Sequence, residues 1–186
     1  MSFHLIPHSR RSFLTTTASA GCLLLSSSPI SLGKDDPGED SRPADANKIA
    51  MISDTHIAGD RATVARGVNM FDNFNAIIDE ILAEDQRPIA AIINGDCAYL
   101  KGLADDYRSL RFCVDRLTNG GIPVHMNMGN HDDRRPFYEA FTSQRPAHLL
   151  VEGKHVSVIE HEHANLFMID SLRIVNNVTG EIGTIQ

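Results

Sequence analysis

Three short runs hold most of the side chains able to do chemistry. They are Ser53-Asp54-Thr55-His56, Asn94-Gly95-Asp96 and Gly129-Asn130-His131-Asp132-Asp133-Arg134. Asp54 and His56 are two apart, so in an extended chain both point the same way and can grip one ion. Asp96 carries two oxygens and can bridge two cations. Asn130 offers a neutral carbonyl ligand. Gly95 and Gly129 permit tight turns and close backbone approach. The donors are oxygen and imidazole without thiolate, which suits Mn, Fe or Zn better than copper(I) or an iron–sulfur cluster. Taken singly, each run has a structural alternative: an Asp after a strand can be a helix N-cap, and a lone His can be a hydrogen-bonded core residue. Three such runs in order, each directly after an apolar segment, are far more specific. Cys97 follows Asp96, but no base is assigned to it, and it reads as a small buried hydrophobe.

The apolar segments that deliver these runs alternate in period. Lys48 to Ser53 (KIAMIS), Ile89 to Ile93 after Pro88, and Pro123 to Met128 read as buried strands. Phe71, Phe74, Ile77, Ile78, Ile81 and Leu82 recur at helical spacing, which predicts an amphipathic helix over 70–85. Tyr107, Leu110, Val114 and Leu117 mark a second helix, closed by Asn119-Gly120-Gly121. Pro136 can open a short helix containing Phe137, Tyr138 and Phe141. His155 to Glu160 and Asn165 to Ile169 read as a strand pair joined by a turn. Strand–helix–strand–helix–strand predicts an α/β fold with mainly parallel strands and right-handed crossovers. Ligands of such sheets bind at the carboxyl ends of the strands, where the three polar runs fall.

Composition narrows the function classes. The chain has 186 residues, 42% of them apolar and 22% charged, which fits one globular domain plus a tail. Its net charge of −7 argues against nucleic acid as the main partner, since phosphates would be repelled. Three cysteines without a C-x-x-C pair exclude thiolate zinc fingers and a small disulfide framework. No run of 18 apolar residues suggests a spanning helix. Residues 1–33 contain Arg10 and Arg11, no acid, and a modest apolar stretch centred on Leu23-Leu24-Leu25. That is the make-up of a targeting segment. Ser9-Arg10-Arg11-Ser12-Phe13-Leu14 resembles a twin-arginine export signal, which implies the twin-arginine export machinery as a partner and an exported, periplasmic location. Residues 34–47 carry two prolines and five acids without a large apolar residue, and read as a disordered acidic linker. The domain then occupies 48–186.

The three runs together resemble the calcineurin-like metallophosphoesterases, whose pattern is D-x-H, then G-D, then G-N-H-[DE], then two later histidine motifs, the last usually G-H-x-H. The matching residues are Asp54-Thr55-His56, Gly95-Asp96 and Gly129-Asn130-His131-Asp132. The resemblance implies a metallophosphoesterase-like α/β sandwich whose first half has parallel strands and crossover helices. It implies a pair of divalent ions, with Asp54 and His56 on the first, Asp96 bridging, and Asn130 on the second. His131 would act at the phosphate or leaving-group oxygen as general acid or electrostatic stabiliser. The substrate would be a small phosphomonoester or phosphodiester, attacked by metal-activated water. Tyr99 stands where the family's protein phosphatases have a second aspartate, and no Arg-Gly follows. Gly129-Asn130-His131-Asp132-Asp133-Arg134 is closer to the phosphodiesterase branch.

The later histidine motifs have no counterpart, since no histidine follows His163. His161-Glu162-His163 has the spacing of a ligand pair but lacks the leading glycine, and reads as a solvated turn. His125 reads as a packing residue inside its strand, and His148 and His155 carry no motif. The resemblance therefore implies a phosphoesterase domain incomplete at its C-terminus, holding one metal or none. The alternative is a truncated, non-catalytic relative retaining part of a metal site. Nothing in the sequence indicates an oligomeric state.

Overall fold

The computed structural model describes residues 42–145 and 151–183. Residues 1–33, read from the sequence as a targeting segment, most of the stretch read as a linker, and His148 lie outside the described residues. Strand β1 (Ala44–Ile52) is followed by two short strands, β2 (Val64–Ala65) and β3 (Val68–Asn69), then helix α1 (Met70–Ala83) and strand β4 (Arg87–Asn94). Helix α2 (Ala104–Asn119), strand β5 (Val124–Asn127), helix α3 (Arg134–Ala140) and a 3-10 turn (Thr142–Gln144) come next, and a hairpin of β6 (Ser157–Glu160) and β7 (Asn165–Met168) completes the described elements. The result is the α/β arrangement expected, with a parallel sheet in the order β1–β4–β5.

β4 is central because its side chains are apolar on both faces. Ala90, Ala91, Ile92 and Ile93 are all buried, as a strand covered on two sides requires. Ala91 and Ile93 face the three helices, packing with Phe74 and Ile78 of α1, Leu110 and Leu117 of α2, and Phe137 of α3. Ile92 points the other way, onto Ile159 and Met168 of the hairpin. Helices, sheet and hairpin thus form successive layers. Burying a side chain such as Ile78 or Leu117 contributes about 1.5–3 kcal/mol.

Local chemistry sets the helix boundaries. The Asn69 side chain accepts from Asp72 N at 3.1 Å and starts α1. Asp106, in the first turn of α2, reaches back to Leu103 N at 3.0 Å and also holds Gly59 N at 2.7 Å, fastening the loop after β1 to the helix. Asp133, not Pro136, opens α3: its side chain accepts from Arg135 N at 2.9 Å.

Two other details differ from the sequence reading. Ala44 to Asn47, read as linker, belong to β1, where Ala44 and Asp45 pair with Arg87 and Pro88 before a register shift ahead of Ile49. Backbone pairing needs no apolar side chain, so composition gives no sign of it. The β2–β3 hairpin was also missed. Its two central residues, Arg66 and Gly67, both have positive φ, the signature of a tight primed turn.

A second polar cluster braces α3 against the hairpin. The buried Asp170 carboxylate takes a bidentate grip from Arg134, at 2.7 and 2.8 Å, and accepts from His155 N and Leu172 N. Burial alone would push the Asp170 carboxyl up, but Arg134 and the two amides outweigh it and hold it below the usual carboxylate range. His155 is fully enclosed; its Nε2 meets Met126 O at 2.9 Å and its Nδ1 meets the Tyr138 hydroxyl at 2.7 Å. A carbonyl can only accept, so Nε2 carries the proton and Tyr138 donates to Nδ1. Burial lowers the pKa of His155 below its ordinary value, and that of His125 likewise.

Because the folded state resists protonating His155, its contribution is complete above about pH 6.5 and is lost as pH falls through the lower folded value. Asp170, also depressed, loses its contribution only in more acid solution, below its ordinary value of 3.8. Urea midpoints at pH 7 and pH 5 should therefore fall with acidification, and His155→Leu should flatten that dependence while lowering stability at both pH values. An unchanged slope would show that His155 is not the group responsible.

Candidate metal centre

The strand ends do not stop pairing where the strands stop. Beyond β1 and β4 the backbone stays linked: Asp54 N donates to Gly95 O at 3.2 Å, His56 N to Asp96 O at 2.9 Å and Ile57 N to Cys97 O at 3.0 Å. The chain follows this path in left-handed conformations, with φ of 56° at Asp54, 44° at His56 and 45° at Asp96. Asp54 and His56 are therefore not extended, as their two-residue spacing suggested. They still converge, with His56 Nε2 3.9 Å from Asp54 Oδ1. Non-glycine residues in this region are strained, and such strain persists only where surrounding contacts enforce it.

Asp96 stands at the centre. Its Oδ2 lies 3.9 Å from His56 Nε2, and its Oδ1 accepts from His131 N at 2.9 Å. The His56 and His131 rings meet edge to face with centroids 5.3 Å apart. Potential ligand atoms of His56, Asp96 and His131 all lie within 4.8 Å of one another. Two imidazoles and a carboxylate at that separation fit a divalent cation of the borderline type. His131 Nδ1 is engaged by Leu100 O at 2.8 Å, so its proton sits there in the neutral ring and Nε2 remains as the free nitrogen.

Asp54, Asp96 and Asn130 line one cavity of about 430 Å³ at the carboxyl end of the sheet, with Ser53, Asn94 and Arg173. His56 and His131 stand outside its lining, so Asp96 is the residue shared by cavity and histidine cluster. Asp54 is largely exposed, whereas Asp96 is largely covered. His161 and His163 lie in the β6–β7 turn, His161 half-buried and His163 exposed, and neither lines the cavity. Cys97 is fully buried, and burial with the Asp132 and Asp96 carboxylates nearby pushes its thiol well up, so it is no nucleophile.

The residue that holds the centre together had no role in the sequence reading. Asp132 is wholly buried and accepts from Cys97 N at 3.1 Å, Ala98 N at 3.0 Å, Gly129 N at 2.9 Å and the Tyr107 hydroxyl at 3.1 Å. Burial pushes its carboxyl above the usual range, with the four donors pulling the other way. Tyr107 in turn accepts from Asp133 N at 2.8 Å. Helical spacing marks Tyr107 as buried but carries no sign of which loop its hydroxyl meets.

The family model described as calcineurin-like phosphoesterase matches residues 47–179. A curated relative, a cAMP/cGMP dual specificity phosphodiesterase of Mycobacterium tuberculosis, is 29% identical over 128 residues, covering 68% of this chain. The chain spans about a third of that relative, the aligned part being 36% of its length.

Gly129 supplies the tightest steric test of the centre. A Cβ there would come within 2.2 Å of both Asp96 N and Asp96 Oδ1. Gly129→Ala should therefore displace Asp96 and cost about 1–3 kcal/mol, as other overpacked sites do. A lower denaturant midpoint together with weaker Mn or Zn binding is the expected result; unchanged metal affinity would mean that Asp96 does not hold the ion.

Proposed function

Because the chain belongs to the calcineurin-like phosphoesterase family, we propose that it hydrolyses phosphodiesters at the common edge of β1, β4 and β5. The observation that carries this reading is the convergence at that edge of Asp54 and Asp96 on His56, each with a carboxylate oxygen 3.9 Å from its Nε2, with the His131 ring beside them. The preference for diesters rests on the similarity to the mycobacterial cAMP/cGMP phosphodiesterase, which makes cyclic nucleotides a substrate class to test.

His56 and Asp96, joined by Asp54, would hold one divalent ion, Mn, Fe or Zn, and Asn130 stands beside Asp96 on the wall of the same cavity. Bound there, such an ion would activate water at neutral pH and neutralise charge on the phosphoryl oxygens. The chain's own residues do the rest. Asp96 presents one oxygen toward His56 while the backbone amide of His131 fixes the other. Asn130 contributes a neutral donor, which limits negative charge in a cavity that must admit an anion. Leu100 O orients the His131 ring and leaves Nε2 for the leaving-group oxygen, where a protonated imidazole donates a proton or a hydrogen bond. Asp132 and Tyr107 keep the two loops in register while this happens.

Turnover of a chromogenic phosphodiester with added Mn should vanish on chelation. Asp96→Asn should lower both bound metal and rate, the rate by on the order of 10²-fold or more. His131→Asn should lower kcat by about 10²–10⁴-fold while bound metal stays unchanged, as loss of a general acid predicts. If that variant loses metal in proportion to rate, His131 is a ligand and not the acid.

We further propose that the protein is exported through the twin-arginine route, on the strength of Arg10-Arg11 in an acid-free start. Changing both arginines to lysine should abolish translocation in a fractionation assay without lowering the domain's unfolding temperature. Undiminished export of the double variant would refute that route.

A further inference from the structure

A second cavity, of about 390 Å³, opens beside α3 and gathers basic residues in a chain of net charge −7. Arg134, Arg135, Arg145 and Lys154 line it with Tyr138, against a single acid, Glu139. Arg135 is neutralised by Glu139 at 3.2 Å and is 89% exposed. The other cations are placed differently. Lys154 Nζ donates to two backbone carbonyls, Leu172 O at 3.1 Å and Glu181 O at 2.9 Å, so its position is set while no carboxylate among the described residues cancels its charge. The Arg145 guanidinium lies 5.7 Å from the centroid of the Tyr138 ring, with no carboxylate partner among the described residues. Tyr138 is itself pinned by the hydrogen bond to buried His155. Arg134 spends Nε and Nη2 on Asp170 and Leu172 O, which leaves Nη1 without a partner among the described residues.

We propose that this cavity is an anion site for a phosphate group, separate from the metal centre. Two positioned, uncancelled cations and one spare guanidinium nitrogen match the several oxygens and divalent charge of a phosphate monoester or of inorganic phosphate. Arginine forks and lysine ammonium groups are the usual partners of that chemistry. The ring of Tyr138 adds an apolar wall on which an aromatic phosphate ester would gain contact and free phosphate would not.

The test uses the full chain stripped of metal by chelation, so that the catalytic edge contributes nothing and the outcome is independent of any hydrolytic activity. Inorganic phosphate and phenyl phosphate are titrated separately by calorimetry. Saturable binding is expected for both, tighter for phenyl phosphate if an organic phosphate is the natural occupant and equal if free phosphate is. Arg145→Gln combined with Lys154→Gln should weaken binding at least tenfold, whereas Arg135→Gln should change it less than twofold. Arg145→Lys with Lys154→Arg, which keeps both charges, should retain binding and guards against a variant that merely misfolds. Absence of saturable binding to the metal-free chain overturns the proposal. So does a loss with Arg135→Gln as large as with the double variant, because binding would then be diffuse attraction to surface charge.

Discussion

The carboxylate of Asp132 is the constraint on which the centre depends. It is anchored in the loop after β5, and two of its hydrogen bonds go to the loop after β4, at Cys97 N and Ala98 N. The hydrogen bonds from Asp54, His56 and Ile57 then carry the loop after β1 onto that same segment. Three loops from three strands are thereby locked by one buried acid and a short backbone ladder. A buried polar group is costly unless its partners are complete, and here they include three amides and the Tyr107 hydroxyl. The helix layer reaches the centre through that hydroxyl alone among the side-chain contacts to Asp132. Through that oxygen α2 is tied to the loops after β4 and β5, and through Asp106 and Ser109 it also holds Gly59 in the loop after β1, so the packing of α2 and the geometry of the centre are connected.

Much of this was legible in the sequence for simple reasons. A buried parallel strand must be apolar on both faces, so Ile89 to Ile93 stands out, and the polar residues that follow must lie at its end. Asp96, Asn130 and His131 were read as lying at such ends, and Asp96 and Asn130 line the cavity there. What the sequence does not display are contacts set by long-range packing. Asp170 meets Arg134 across 36 positions, and His155 reaches Met126 across 29, with no periodicity linking either pair. The left-handed turns at Asp54 and His56 were also hidden, because neither residue type demands them and extended geometry was the simpler assumption. Ala44 to Asn47 were misjudged because a backbone ladder leaves no mark on composition.

The two polar clusters meet at one residue. Leu172 borders the metal-side cavity, and its carbonyl accepts from both Arg134 and Lys154 of the basic cavity. The wall of one cavity is thus held by the cations of the other. Neighbouring sites that share a wall can be coupled energetically, and any such coupling acts equally in both directions.

The left-handed backbone at Asp54, His56 and Asp96 has an evolutionary consequence. The same positions carry the conformational cost and would supply the donor atoms of the proposed centre, so relaxation and chemistry compete residue by residue. Glycine would relieve the backbone at any of them while deleting a donor, and drift toward a more stable chain would run through the loss of the centre. A lineage released from selection for metal binding would be expected to shed these side chains early and keep the apolar strands, whose burial stabilises the fold whatever the edge does.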